Sequence, residues 1–491
     1  MQRADSCDDR TSRPFLEDAG RFSEWIARYL AGELDHLPVL SRAEPGEIAA
    51  ALPDQAPSHG RPMTELLDEF MRVMVPGLTH WNHPGFMAYF PSSGSAPGVL
   101  AEFLIAALNQ QAMLWRTSPT ATEVEHVTLE WLQSMLGLPL EFTGVTFDGG
   151  SMSNLHAMLA ARHAAISNVR IRGLNHGIDG AACRVYCSEQ AHSSVDKAAI
   201  VLGLGTAAVR RVSTDRQYRM DPAALSAQMR KDRAAGCVPI AVVATAGTTA
   251  CGAMDPIDAI AEICAAQRTW LHVDASWAGA AAILPEHATC FRGLGQADSL
   301  VVNPHKWMFT PLDLSVCYFR RLRDLTEALA VTPDYLRHPD AHAELNLMDR
   351  GIALGRRFRG LKLWFVLNHM GVEGMQAQIR EHIRLARSFA DTVEAHPELE
   401  LAAPVSFSLV CFRAVPKGVA TRHLDALNEA LLARVNAQGA VFLSGTRLGG
   451  RFVLRLALGH LRTGQAHVVE AVTQIERALH ACKDVAARSQ P

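Results

Sequence analysis

The chain has 491 residues, 48% of them hydrophobic and 20% charged, which is enough apolar material for two or three packed units and excludes a disordered polypeptide. Its 47 basic and 50 acidic residues are well mixed and sum to a formal charge of -3, so nothing favours nucleic acid or an anionic membrane over a small-molecule partner. No apolar run approaches the roughly 18 residues that span a bilayer, and the opening MQRADSCDDRTSRPF is charged where a signal peptide would be apolar; a cytoplasmic protein is expected.

The first element is a helix around RFSEWIARYL, where Phe22, Trp25, Ile26, Tyr29 and Leu30 fall on one stripe. Because a Pro-rich segment (44–57) follows, the stripe is expected to belong to an arm, residues 1–95, that packs on something else, a second subunit being one option. From 96 to 369 short apolar runs alternate with helical patterns, the signature of a mainly parallel sheet covered by helices. The strand candidates are GVTF (144–147), RVYCS (184–188), PIAVVAT (239–245), WLHVD (270–274) and SLVV (299–302). Each is followed by a polar cluster, and ligands of open α/β sheets bind beyond the carboxyl ends of the strands, so one shared pocket is expected there. Beyond residue 370 come a helix with Ile379, Ile383, Ala386, Phe389 and Val393 in phase, the strands FSLVCFRAV and FVLRLALG, and a last helix. These predict a smaller α/β unit, 370–491. The ten cysteines are scattered, and Cys183 and Cys187 lack the partners of a zinc site, so free thiols and no metal are expected.

Four features could carry chemistry. FDGGSMSNLHAMLAAR places two glycines and Ser151 at a helix start, a geometry that suits a phosphate and equally a plain serine cap. Asp274 ends a core strand, where a carboxylate needs a cation or donors. His192, in EQAHSSVDKAA, also follows a strand, where a lone histidine is usually a packing residue. Lys306 lies in NPHKW, directly after an apolar run, where burying an ammonium is costly. A desolvated lysine is a nucleophile towards aldehydes. The ligand that uses a lysine, a phosphate cradle, a carboxylate and a stacking imidazole together is pyridoxal 5'-phosphate.

HVDASWAG followed by NPHKW, together with PGLTHWNHPGFMAYFPSS (76–93), SPTATEVE (118–125), EQAHSSVDKA (189–198), ATAGTT (244–249), LGRRFRGLKLWFV (354–366) and RFVLRLAL (451–458), resembles the group II pyridoxal-phosphate decarboxylases, above all the aromatic L-amino-acid decarboxylase type. The resemblance runs nearly end to end. It implies the type I pyridoxal-phosphate enzyme fold, aspartate aminotransferase-like: an α/β large domain with a mainly parallel seven-stranded sheet, a small C-terminal α/β domain, and a homodimer with active sites at the subunit interface.

By position it implies that Lys306 holds the cofactor aldehyde, that Asp274 pairs with the pyridine nitrogen and that His192 stacks on the ring. Gly150, Ser151, Asn303 and His305 are expected around the phosphate, and Thr249 near the cofactor and the substrate carboxylate. Tyr335, in VTPDYLRH, matches a loop tyrosine that returns a proton to the substrate carbon after carbon dioxide leaves; relatives with phenylalanine there tend to form aldehydes. Trp81, Tyr89, Phe90, Pro91 and Ser92 match a substrate-side wall, to which Gln111, Met113 and Gly355 also correspond. Gln111 and Met113 depart from the aliphatic and aromatic residues usual in aromatic decarboxylases, and Ser276 stands where the family commonly has alanine. The expected activity is decarboxylation of an L-amino acid, Trp, Tyr, Phe or a hydroxylated derivative, to its amine. The alternatives are an acidic or diamino-acid decarboxylase, an aldehyde-forming synthase and a silent binding protein.

Overall fold

A computed structural model describes residues 9–174, 181–331 and 346–488, with side chains described from 14 to 483. Seven strands form the larger sheet: β1 (Thr143–Phe147), β2 (Cys183–Ser188), β3 (Val209–Val212), β4 (Val238–Thr245), β5 (Trp270–Asp274), β6 (Ser299–Val302) and β7 (Ser315–Phe319), in the order β1-β7-β6-β5-β4-β2-β3. β2, β3, β4, β5 and β6 pair in parallel, and β7 runs antiparallel to both β6 and β1.

Strand β4 explains why the middle of this sheet reads as an unbroken apolar run. Val242 and Ala244 pack into the core on one face, Ala241 and Val243 into the core on the other, and all four are essentially inaccessible. Burying each such valine contributes roughly 1.5–3 kcal/mol on whichever face it lies.

The expected strands are present within a residue or two. β3 and β7 were not anticipated: β3, VRRV, is an edge strand carrying Arg210 and Arg211, and β7 lies beyond the NPHKW turn.

A second sheet, all antiparallel in the order β10-β11-β9-β8, comprises β8 (Leu399–Leu401), β9 (Leu409–Ala414), β10 (Ser444–Leu448) and β11 (Arg451–Ala457). Phe389 and Val393, from the helical run Gly360–Ala395, pack on Val410 and Phe412 of β9 together with Val468 and Ile475 of the last helix, Gln465–Arg488. That run turns at Gly371, whose φ of 66° is a left-handed conformation open to glycine.

The amino-terminal helix, Asp9–Ala31, meets its own chain where Trp25 stacks on Tyr29 (5.4 Å) and points edge-on at Phe70 (5.3 Å), while Phe15 and Leu16 stand exposed. Its apolar stripe is therefore only partly covered within one chain.

Candidate active site

β4, β5 and β6 end side by side, with Thr245 opposite Asp274 and Asp274 opposite Val301. Beyond these ends lies a cavity of about 510 Å³ whose lining includes Gly150, Ser151, His192, Thr249, Asp274, Asn303, His305 and Lys306, the residues expected around a cofactor. Phe90, from the expected aromatic wall, lines it as well. A larger cavity of about 650 Å³, between Gly252–Asp258 and Phe407, holds none of these groups.

Lys306 sits in the turn Pro304–Trp307, which leaves β6 at Asn303. Burial of the ammonium pushes its pKa below that of an ordinary lysine, and Asp274 opposes this with its charge. Nζ lies 5.6 Å from the centre of the Phe90 ring. Phe90 stacks on Trp277 at 4.3 Å, and Trp277 on Trp307 at 5.3 Å, so the wall beside the lysine is aromatic and closed to water.

Asp274 is 6% exposed. Burial alone would raise its pKa, but Ser276, Asn154 and the charge of Lys306 outweigh it and hold the carboxyl below the usual carboxylate range. The Ser276 amide donates to Oδ1 at 3.1 Å and the Asn154 side-chain amide to Oδ2 at 2.9 Å. An ionised carboxylate thus stands across the cavity from a desolvated amine.

His192 is likewise pushed down, first by partial burial, with Lys306 and Lys197 lowering it further and Asp274 raising it. Its Nδ1 accepts the Ser194 backbone N–H at 3.1 Å, which leaves the proton of the neutral ring on Nε2.

The opposite end of the cavity is built from neutral donors. The helix Gly150–Ala165 starts there, presenting the backbone N–H groups that a first turn leaves unpaired. Ser153 and Ser315 are linked at 2.7 Å, and the Ser315 hydroxyl donates to Asn303 Oδ1 at 2.6 Å. Asn303 therefore turns Nδ2 towards the helix start, where a Cβ on Gly150 would stand 2.8 Å from it and 3.0 Å from Ser276 Oγ. Burial pushes the His305 pKa down to about 3, and its Nδ1 accepts the Leu314 N–H at 3.0 Å, so Nε2 carries the proton as a donor.

A cradle that a single methyl group would crowd, ringed by donors, with a lysine and a buried carboxylate further in, fits a phosphorylated pyridine aldehyde. Gly150, Ser151, Asn303 and His305 can hold the phosphate, Lys306 the aldehyde and Asp274 the ring nitrogen.

The remaining expected residues lie elsewhere. Trp81 and Tyr89 stack on each other at 5.9 Å and are exposed, and the Ser92 hydroxyl donates to the His305 carbonyl. Pro91 packs against Gly459. Gln111 lies over Gly355, its Oε1 accepting the Arg356 N–H at 2.6 Å, and the Met113 carbonyl accepts from Leu347 and Met348. None of these seven lines the Lys306 cavity within a single chain. Tyr335 lies outside the described residues.

Three residues of the site escaped the sequence reading: Asn154, Ser194 and His272. The available signals were spacing alone. His272 stands two residues before Asp274 on a strand and so shares its face, and Asn154 stands one turn beyond Ser151.

Residues 45–415 match the family model described as "Pyridoxal-dependent decarboxylase conserved domain". The chain is 37% identical to tryptophan decarboxylase 2 of Oryza sativa subsp. japonica, over 92% of each sequence, and 38% identical to phenylacetaldehyde synthase of Arabidopsis thaliana, over 91% of this chain and 92% of that one. Its fold is similar to the crystal structure of Oryza sativa TDC with PLP and tryptamine, with a TM-score of 0.91 and 34% identity over 98% and 99% of the two chains. With its type I fold and a cavity suited to pyridoxal 5'-phosphate, the chain belongs to the pyridoxal-dependent decarboxylase family and is a carboxy-lyase acting through that cofactor.

Proposed function

We propose that this enzyme decarboxylates an aromatic L-amino acid, Trp, Tyr, Phe or a hydroxylated derivative, to the amine and carbon dioxide. The observation that carries the proposal is the convergence of Lys306, Asp274 and the Gly150 helix start on one cavity, in a chain whose relatives include a tryptophan decarboxylase.

Bound pyridoxal 5'-phosphate supplies an electron sink for the pair released when the carboxylate leaves. Lys306 is the amine that would hold the cofactor aldehyde, and its depressed pKa makes the neutral, nucleophilic form accessible. Asp274, kept ionised by its two donors, is the charge that would keep a pyridine nitrogen protonated. His192 lines the cavity and carries its ring proton at Nε2, and Thr249, on the same lining, is assigned to the substrate carboxylate from the resemblance. From the resemblance, Tyr335 is assigned the return of a proton to the substrate carbon, which favours amine over aldehyde.

Trp81, Tyr89, Phe90, Pro91, Ser92, Gln111, Met113 and Gly355 are proposed as the substrate-side residues of a homodimer whose active sites lie at the subunit interface. The exposed Leu100, Phe103, Leu104 and Leu108 of the helix Ala96–Leu108 support such an interface, with 1–95 as its arm and 96–369 and 370–491 as the large and small domains. A cytoplasmic setting is part of the proposal, supported by the unpaired thiols of Cys187, Cys264 and Cys317.

The phenylacetaldehyde synthase relative keeps one second reading in play, an aldehyde-forming enzyme. Purified protein with pyridoxal phosphate, offered Trp, Tyr, Phe, Glu and 2,4-diaminobutyrate in turn, separates the readings. Amine and carbon dioxide in equal amounts from the aromatic substrates, without peroxide, are expected. Aldehyde with ammonia and peroxide, or turnover of the acidic or diamino substrates alone, would overturn the proposal.

A further inference from the structure

The buried polar groups behind the cavity form one connected chain whose hydrogen-bond directions are all determined. Asn154, 2% exposed, lies between Asp274 and His272: Nδ2 is 2.9 Å from Asp274 Oδ2, and Oδ1 is 2.8 Å from His272 Nε2. An ionised carboxylate only accepts, so the amide nitrogen must face Asp274 and the amide oxygen His272. The oxygen in turn requires the proton of His272 on Nε2. His272 is neutral, pushed down to about 4 by burial, so its Nδ1 accepts the Ser299 hydroxyl at 2.9 Å, and Ser299 Oγ accepts the indole N–H of Trp270 at 2.8 Å.

The second N–H of Asn154 goes to Ser194 Oγ at 2.8 Å. With its oxygen used as an acceptor, Ser194 spends its own proton on His192 Nδ1, 2.9 Å away, beside the Ser194 backbone N–H already bound there. Two donors converge on that nitrogen.

We propose that Asn154 is a positioning residue which, held in one orientation by Trp270, Ser299 and His272, sets the Asp274 carboxylate and, through Ser194, aims a second donor at the His192 Nδ1 that the Ser194 backbone N–H already occupies. The inference rests on the proposed cofactor roles of Asp274 and His192. It goes further in assigning their common control to a residue that is buried in the wall behind them. Exchanging the amide for a group that cannot donate twice weakens both: Asp274 loses its Oδ2 partner, and Ser194 regains an acceptor, so that His192 Nδ1 keeps only the backbone N–H and is protonated more readily. Around His192 the charged groups are Asp274, Lys306 and Lys197, and the first of these favours that protonation.

The test compares Asn154→Ala and Ser194→Ala with the wild-type enzyme. Cofactor affinity is read by quenching of tryptophan fluorescence on titration with pyridoxal phosphate, the environment of the ring by the absorbance maximum of the bound cofactor, and His192 by the acid limb of the kcat profile. Asn154→Ala is expected to weaken cofactor binding about tenfold or more, to shift the absorbance maximum and to move the acid limb to higher pH. Ser194→Ala, which leaves the Asp274 contact in place, is expected to move the acid limb alone, with affinity kept within about twofold.

Wild-type affinity and absorbance in a folded Asn154→Ala protein, or an unmoved acid limb in Ser194→Ala, would overturn the proposal. Should Asn154→Ala fail to fold, the Ser194→Ala profile still decides the branch to His192. A wild-type enzyme that binds cofactor but turns over no aromatic amino acid would sink the proposed substrate class and leave the titration and the absorbance to judge this inference.

Discussion

Glu125 and Arg356 form an ion pair that is almost wholly out of water, with side chains 3% and 7% exposed and Arg356 Nη2 3.0 Å from Oε1. The same Nη2 donates to the Thr146 carbonyl at 3.0 Å and to its hydroxyl at 2.9 Å, and the Thr146 hydroxyl lies 2.9 Å from Glu125 Oε2. Helix Pro119–Met135, strand β1 and the segment before helix Gly360–Ala395 are thereby tied two residues short of Asp148, which lines the cavity. Arg356→Met removes the bonded cation and leaves Glu125 charged, buried and hydrogen-bonded to Thr146, with Arg350 as the remaining positive charge acting on it; the expected cost is about 3 kcal/mol. Glu125→Leu strands the guanidinium instead and should cost a similar amount. Replacing both, as Glu125→Leu with Arg356→Met, removes the uncompensated charge and leaves only the Thr146 groups short of partners, about 1–3 kcal/mol. The double variant is therefore expected to be no less stable than either single one, a coupling of several kcal/mol. The assay is the urea midpoint followed by tryptophan fluorescence, at fixed protein and cofactor concentration because ligand and subunit binding both shift it. Single costs below about 1 kcal/mol that simply add in the double variant would refute the reasoning.

Two further outcomes follow from burial. His272, His382 and His460 are pushed down to about 4, 4 and 3, in each case mainly by burial. Their folded values lie below the unfolded value near 6.5, so the unfolded chain binds more protons between these limits, and stability is full above pH ~6.5 and lost as pH falls. Each histidine contributes on the order of 3 kcal/mol across that window, whereas Asp255, raised by burial to about 6, acts in the opposite sense as a single group. The urea midpoint should therefore drop steadily from pH 7 to pH 5, and a flat midpoint over that range would count against neutral buried rings. Gly150→Ala puts a methyl group 2.8 Å from Asn303 Nδ2, which the bond to Ser315 keeps from moving aside; pyridoxal phosphate affinity is expected to fall about tenfold. Titration within about twofold of wild type would show that the cradle has more room than its geometry indicates.

The parts of this molecule that were legible in its sequence are those whose physical cause is local. β4 and β5 could be read because strands buried on both faces must be apolar throughout, and Lys306 stood out because an ammonium after such a run has to be accounted for. β7 was hidden, since SVCYF carries no alternation and its place between β1 and β6 follows from the topology of the whole sheet. β8 and β10 are short edge strands of three and five residues, held by pairing rather than by their own pattern. Asn154 illustrates the limit best. Nothing near it in the chain distinguishes a capping or solvated asparagine from one that bridges residues 40 and 120 positions away.

The distribution of charge in the cavity has a consequence for how the cofactor is held. Among the described residues that line it, Lys306 is the one lysine or arginine, while Asp148, Asp274 and Asp313 are acidic. A phosphate at the Gly150 end would therefore meet backbone amides, the Asn303 amide and a neutral His305, and no fixed cation among those described lining residues. Neutral donors act over hydrogen-bond distances and fall away with small displacements, whereas a cationic clamp tolerates them. Selectivity then rests on shape, which is why a glycine is needed where the helix begins. The charge that Lys306 carries stays available for the aldehyde end, where its proton must be given up. Burial beside Phe90 keeps the pKa of Lys306 low against the charge of Asp274; a lysine beside a phosphate would be stabilised as an ammonium and would be a poorer nucleophile.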